Sequence, residues 1–351
     1  MFPCEQCGAG MEYAPGTTTL VCNHCGFVKQ IPQSAEEIQE LPFERFVREG
    51  DVVEKVMQGV QGERRCTGCG AVVMMSSTTV TEECPFCGTH LDNPITTPQP
   101  IIEPKAVLPF GITSVQARGV FKDWVKSRWF APNKFKYAAE LGRIAGLYVP
   151  FWTYDAMTWS YYTGQRGDHY YVTVGSGKNR RSERRTRWTP VSGNIRHFFN
   201  DITVCASRSV PGDLVQNLEP WDLNALQPFR DEYLSGFRTE RYQVALSDGY
   251  ATARSIMDSE IQTLVRRDIG GDVQQISEIR TQVDGVTFKH VLMPLWLSAY
   301  RLRDKTYRVV INARTGEVCG DRPWSYVKIT FAILAALAVI IPIIIAFANR
   351  R

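Results

Sequence analysis

Hydrophobic positions along the chain follow a helical period in two places and a strand-like pattern in several more, and near the C-terminus polar positions disappear. Ser114 can cap a helix in which Ala117, Val120, Phe121, Trp124 and Val125 recur at i, i+3, i+4, i+7 and i+8. Ser247 can cap a second helix carrying Ala253, Met257, Ile261 and Leu264 and ending at Gly270-Gly271. Aromatic-rich stretches at 147–159 and 168–174 read as strands, as do 288–300 and 307–311. A turn over 312–316 follows, leading into Glu317-Val318. Residues 110–324 are therefore expected to form a mixed α+β domain. Inside it Val149-Pro150-Phe151-Trp152 is echoed by Met293-Pro294-Leu295-Trp296, each after an amphipathic helix and before long strands. Two related α+β halves would produce that echo, and so would two independent proline-bearing edge strands.

Ahead of this domain, Pro94, Pro98, Pro100, Pro104 and Pro109 predict a stiff, extended connector over 94–109. The charged stretch 33–62 has weak periodicity and reads as a linker. Behind the domain, 329–348 carries no charge, and Pro342 is its only breaker. Twenty residues at about 1.5 Å each span roughly 30 Å, the thickness of a bilayer core, and membrane helices accommodate proline. A buried core helix would rarely be apolar on every face, so 325–351 is expected to be a single transmembrane tail anchor. Arg350 and Arg351 flank one end and Arg322 and Lys328 the other, so basic residues alone do not orient it.

With 351 residues the chain is long enough for two or three folded units. Its 44% hydrophobic and 22% charged content exclude a collagenous or wholly disordered protein. Cysteine usage narrows the class much further. Eight of the ten cysteines form four C-x-x-C pairs: Cys4, Cys7, Cys22 and Cys25 recur as Cys66, Cys69, Cys84 and Cys87, the same spacing displaced by 62. Each pair is followed at once by glycine (Gly8, Gly26, Gly70, Gly88), which permits the tight knuckle that brings two sulfurs onto one tetrahedral ion. Two such knuckles joined by a β-hairpin make a zinc ribbon, with Ala14-Pro15-Gly16 and Ser76-Ser77 as hairpin turns. Ribbons are expected over 1–32 and 63–93. Each has almost no hydrophobic core of its own, so zinc must hold it together; structural zinc contributes roughly 10–16 kcal/mol in small fingers. Loss of Cys66 and Cys69 is then expected to unfold the second ribbon and leave the central domain folded. All four places at each ion are taken by cysteine, which marks two structural Zn2+ sites rather than catalytic ones. His24 and His90 read as surface neighbours of the ligands.

The N-terminal Met-Phe-Pro-Cys-Glu-Gln-Cys lacks the basic stretch and apolar core of a signal peptide, so the thiols are expected in reducing cytosol. That setting favours zinc over disulfides. It also places the soluble mass on the cytoplasmic face of the cell (inner) membrane and the C-terminal arginines outside.

The net charge of +4 implies no nucleic acid by itself. The basic residues are clustered, however: Lys178, Arg180, Arg181, Arg184, Arg185 and Arg187 lie within ten positions, offset only by Glu183. Such a loop can bind phosphates of anionic lipid or nucleic acid, an acidic partner surface, or nothing, as a solvated hairpin tip. Gly175-Ser176-Gly177-Lys178-Asn179 departs from a phosphate loop, with Val172 and Asn179 where glycine and Ser or Thr are needed. His169, His197 and His290 define no site by their spacing to Asp168, Asp201 or Glu278. Cys205 and Cys319 read as small buried apolar residues. No catalytic constellation emerges.

Several phrases resemble a bacterial family of zinc-ribbon membrane proteins: 105–110 (KAVLPF), 128–133 (RWFAPN), 146–152 (GLYVPFW), 206–209 (ASRS), 218–223 (LEPWDL) and 266–271 (RRDIGG). The likeness runs from the ribbons to the anchor. Family members often carry names such as general transcription factor B-type zinc ribbon protein or primosomal replication helicase-like protein, which reflect the ribbons; helicase motifs are absent here. Some relatives look like partners of phage-shock protein A and of SPFH-domain proteins in membrane stress. The resemblance thus implies a non-enzymatic, membrane-anchored adaptor that recruits protein partners. The alternative is a nucleic-acid-binding protein, since ribbons and arginine loops both serve that purpose.

Overall fold

The computed structural model describes residues 2–33, 37–48, 54–55, 60–76, 83–91, 93–133, 135, 144–302 and 305–348. Ser77, Asn349, Arg350 and Arg351 fall outside them, as does the side chain of Lys178. In chain order, β1 (Met11–Tyr13), β2 (Thr19–Cys22) and β3 (Val28–Gln30) form a small antiparallel sheet. There follow β4 (Leu41–Pro42), α1 (Phe43–Arg48), β5 (Glu54–Lys55), β6 (Val60–Arg65), β7 (Val72–Ser76), β8 (Ile101–Ile102), β9 (Ala106–Val107) and α2 (Ser114–Ser127). Then come β10 (Ala145–Val174), β11 (Arg181–Cys205), α3 (Gly212–Gln216), β12 (Gln227–Pro228), β13 (Arg238–Glu240) and α4 (Leu246–Ile269). The chain closes with β14 (Val273–Leu302), β15 (Lys305–Asn312), β16 (Val318–Gly320) and α5 (Tyr326–Ala348).

The architecture is α+β, built on two 30-residue strands, β10 and β14, paired antiparallel from Ala145↔Leu297 to Gly167↔Val273. The two stretches expected as separate strands at 147–159 and 168–174 are one. The polar residues between them keep pairing with both neighbours, so side-chain composition did not decide backbone continuity. Bulges at Tyr154/Ala156 and Asp155/Met157 bend the pair without ending it.

The two proline motifs are related by topology. Val149 pairs with Met293, so the motifs cross at the centre of the sheet. The free edge of β10 is taken first by β13, in parallel through Leu147 and Tyr148, and then by β11 from Phe151 onward. β14 repeats this arrangement, with β9 in parallel through Val291 and Leu292 and β15 from Leu295. Pro150 and Pro294 sit at the two change-overs, where the missing amide donor costs no ladder bond. Each motif tryptophan donates its indole N–H to a carbonyl just before the helix of the other half: Trp152 to Val244 at 3.0 Å, Trp296 to Ile112 at 3.1 Å. The halves are related and interlocked, and neither proline lies on an edge strand.

The N-caps of both helices lie one and two residues before the predicted Ser114 and Ser247. Thr113 caps α2, its hydroxyl accepting from the Gln116 amide while the Gln116 side chain accepts from the Thr113 amide, so Ser114 is the first helical residue. α4 begins after Ala245, without a side-chain cap. Its buried stripe is Gly249, Ala253, Met257, Ile261, Val265 and Ile269, with Leu264 only half-buried. Gly249 is required there, because a Cβ would stand 2.5 Å from the Tyr154 hydroxyl and 2.7 Å from Trp152.

Both faces of the sheet centre are covered, which explains why 147–156 is buried without alternation. One face carries Tyr148, Leu292 and Trp296 and receives α2 together with Met11, Tyr13, Leu20 and Ile31 of the first ribbon. The opposite face carries Leu147, Val149, Phe151, Met293 and Leu295. It receives Val73, Phe86 and Leu91 of the second ribbon and Val210 to Trp221 around α3. Two sequence expectations change here. The ribbons do not lack a core; they share that of the sheet. The expected connector over 94–109 is likewise part of the fold, since its apolar Ala106, Val107 and Leu108 are fully buried and β9 pairs with β14. The 33–62 linker also docks, through β4 on β14 and through Phe43 and Phe46 against Tyr154, Tyr250 and Phe288.

Candidate metal centres

Each cysteine pair sits on a knuckle closed by an amide-to-carbonyl bond of 2.9 Å, from Gly8 to Cys4, Gly26 to Cys22, Gly70 to Cys66 and Gly88 to Cys84. The four glycines have φ between 71° and 78°, the left-handed region that a side chain disfavours. Further amides point at sulfur: Gln6 N–H lies 3.4 Å from Cys4 Sγ and Gly68 N–H 3.3 Å from Cys66 Sγ. The result is two groups of four sulfurs, Cys4, Cys7, Cys22, Cys25 and Cys66, Cys69, Cys84, Cys87, each within 4.8 Å of one another.

The donor sets fit a metal ion. None of these cysteines is in a disulfide, and the Sγ···Sγ separations are 3.5 Å for Cys4–Cys25, Cys7–Cys22 and Cys66–Cys87 and 3.6 Å for Cys69–Cys84. A tetrahedral ion with metal–sulfur bonds near 2.3 Å needs sulfur edges of about 3.8 Å. Thiolate is also favoured at chosen positions. Backbone hydrogen bonds, led by that from Cys25, draw Cys22 down to about 6, and the hydrogen bond with Cys84 draws Cys69 down to about 5 while Cys84 is pushed up. Four sulfurs would leave no open coordination place, so an ion held in either group would not be presented to a substrate.

The centres differ in setting. Cys7 and Cys25 are exposed, whereas Cys69 and Cys87 are half-buried against the sheet. Close to the second centre, the buried Glu240 accepts from Ser209 and from Gln243 Nε2 (2.7 Å), and burial raises it to about 8. His24 and His90 are exposed and belong to neither sulfur group.

The basic cluster lies at the tip of the β10–β11 hairpin, where β10 runs on past the last β14 pair. Strand alternation divides it. Arg181, Arg185 and Arg187 face one side, paired opposite Val174, Tyr170 and Asp168, while Arg184 faces the other, opposite Tyr171. Arg185 reaches Glu183 at 3.5 Å, and Arg187 lies over the Tyr170 ring at 5.4 Å. The cluster is therefore not one patch.

The histidines stay apart. His169 contacts the Thr186 hydroxyl, His197 packs on Phe199, and His290 is buried, with Nδ1 2.6 Å from the Ile102 carbonyl and a pKa lowered by burial to about 4. Cys205 and Cys319 are half-buried rather than buried; burial pushes the Cys205 thiol up to about 12.

Sequence reasoning missed one charged cluster. Lys289 Nζ lies 2.7 Å from Asp201, 3.0 Å from Glu40 and 3.8 Å from Asp155, beside the β10 bulge. Burial raises Asp155 to about 7, and the hydrogen bond it shares with Glu40 draws Glu40 down to about 2. Burial opposes the Lys289 charge, but Asp201, Asp155 and Glu40 together outweigh it and its pKa rises. The available signal was an aspartate and a lysine, each beside the apolar stretch of its strand.

α5 contains a 20-residue stretch, Tyr326–Ile345, long and apolar enough to cross a membrane, with none of it buried. No protein-family model and no solved structure matches the chain. It is similar to the uncharacterized protein YdjG of Bacillus subtilis (strain 168), 25% identical over 237 residues, which is 65% of this chain and 66% of that protein. The match thus covers just under two thirds of either chain.

Proposed function

We propose that the chain is a non-enzymatic adaptor, held on the cytoplasmic face of the cell membrane by α5 and stabilised by one structural Zn2+ in each tetracysteine centre. The carrying observation is that two closed four-sulfur centres lie on opposite faces of one sheet whose chain leads into an exposed apolar helix. Zinc supports this reading because an all-sulfur tetrahedron suits it and a reducing compartment keeps the thiols free. Closed centres suit folding and display rather than turnover, and among the described residues no acid, base and nucleophile converge. The resemblance noted above supports an SPFH-domain or phage-shock protein A-like partner.

Elemental analysis should find two zinc ions per chain; one or none, with disulfides instead, would overturn the zinc assignment. Crosslinking and capture from native membranes tests the adaptor role, and recovery of the chain without a protein partner counts against it. A second reading, nucleic-acid binding, rests on the arginine-rich hairpin. Tight, salt-dependent binding of single-stranded DNA at physiological salt would favour it.

A further inference from the structure

The apolar helix does not leave the domain as a free stalk. Lys328, in its first turn, donates from Nζ to the Ala131 carbonyl (2.8 Å), the Asn133 Oδ1 (2.9 Å) and the Trp129 carbonyl (3.3 Å). One turn earlier, the Ser325 amide donates to the Phe130 carbonyl at 2.8 Å. The loop that receives these bonds, 128–133, is itself fixed. It follows α2, whose Ala117, Phe121 and Val125 are in the core, and Ala131 and Phe135 are buried with them. Arg128 lies 4.8 Å over the Trp124 ring.

On this tightly held loop Trp129 is nevertheless 77% exposed, stacked on Phe130. Two more aromatic side chains stand uncovered at the helix root, Trp324 at 50% and Tyr326 at 82%, with Arg322 4.2 Å over the Trp324 ring. Exposed tryptophan and tyrosine flanked by Arg and Lys at the start of an apolar run is the composition of a membrane–water interface, where amphipathic rings sit among headgroups and cationic stems reach toward phosphates.

We propose that the 128–133 loop is a second membrane contact, a foot that rests in the phospholipid headgroup layer beside the helix and, through Lys328, locks the anchor to the domain. The occupant of this surface is the bilayer itself, because the apolar helix enters it one turn beyond the same residues. The inference rests on reading α5 as a membrane span.

The test uses the full chain reconstituted in phosphatidylcholine vesicles whose acyl chains are brominated near the carbonyl, a short-range quencher of tryptophan emission. In the parent protein a quenched component is expected, and Trp129→Phe should remove about half of it, leaving that of Trp324. Lys328→Met, which cuts the three bonds but keeps the loop sequence, should also reduce quenching by letting the foot lift. Equal quenching in the parent and Trp129→Phe overturns the foot. Alkaline carbonate extraction is read separately: a parent protein that is extracted overturns the membrane span and the foot with it, whereas retention with unchanged quenching overturns the foot alone.

Discussion

Replacing Cys66 and Cys69 by serine should weaken the whole molecule and not only the second ribbon. Removing two of four ligands abolishes the closed centre, and the knuckles have no other cross-link. Val73, Phe86 and Leu91 then lose their fixed place on the sheet face formed by Leu147, Val149, Phe151, Met293 and Leu295. Burial of one such side chain contributes about 1.5–3 kcal/mol, so the three together are worth about 5–9 kcal/mol. The whole stability of a domain is typically about 5–15 kcal/mol. The β7–β13 pairing at Thr239↔Met74 and Glu240↔Val73 is lost as well, which bares the edge of the sheet beside β10. Thermal unfolding of the detergent-solubilised chain should shift down by ten degrees or more, on the order of several degrees per kcal/mol. Hydrogen exchange should quicken in peptides covering 147–154 and 291–297. Unchanged protection there, with the second ribbon alone exchanging freely, would refute the shared-core argument and restore the ribbon as an independent unit.

The other predictions are briefer. Because the hairpin arginines divide between two faces, changing Arg181 and Arg185 to glutamine and, separately, Arg184 to glutamine should affect binding to anionic vesicles unequally, as read by co-sedimentation of the protein lacking 329–351; equal losses would mean that the tip is engulfed rather than apposed. That same truncated protein should be soluble and folded and should wash off membranes in high salt, since the headgroup contact of the 128–133 foot is too small to hold it alone; if it still pelleted, an apolar contact beyond the foot would exist. Asp155 supplies part of the pH dependence, beside Glu240, whose carboxyl pKa burial also raises. Asp155's folded pKa of about 7 lies above the ordinary 3.8, so it stabilises fully below about pH 4, and that contribution is lost as pH rises through 7. Asp155's share of the loss between pH 5 and 8 should be on the order of 1–3 kcal/mol, and Asp155→Asn should make the slope shallower in thermal melts while leaving the share due to Glu240; an unchanged slope would assign it to other groups.

What was legible in the sequence followed from strict local rules. Four glycine-tailed C-x-x-C pairs admit few geometries, and a charge-free run of bilayer length admits few environments, so the centres and the apolar helix appear where their residues lie. The amphipathic helix over 114–127 was legible for a similar reason, its period being set by one buried face. Long-range partnership was not legible. Nothing in Ser160 to Gly167 announces that β10 continues, because polar residues suit a strand whose neighbours supply the hydrogen bonds. Nor do the prolines between 94 and 109 disclose that Ala106 to Leu108 are buried, since that depends on β14, almost two hundred residues away. The Lys289 cluster stayed hidden because its members, Glu40, Asp155 and Asp201, come from three separate stretches.

The interlocked halves bear on how the parts can act together. In each half the strand before the helix pairs with the long strand of the other half, and each motif tryptophan bonds to the other half's helix entry. Neither half can therefore separate without breaking the centre of the sheet. The first ribbon is laid on one face of that centre, the second on the other, and α2 holds the loop to which Lys328 fastens the apolar helix. Force or orientation imposed at the helix root is thus passed to both cysteine centres through one shared core rather than through extended linkers. The β10–β11 hairpin is the exception, since it runs beyond β14 and its tip pairs with no third strand among the described residues. If the chain recruits a partner at a membrane, the ribbons offer surfaces at fixed positions relative to the bilayer, and the arginine-bearing hairpin is the element left free to adjust.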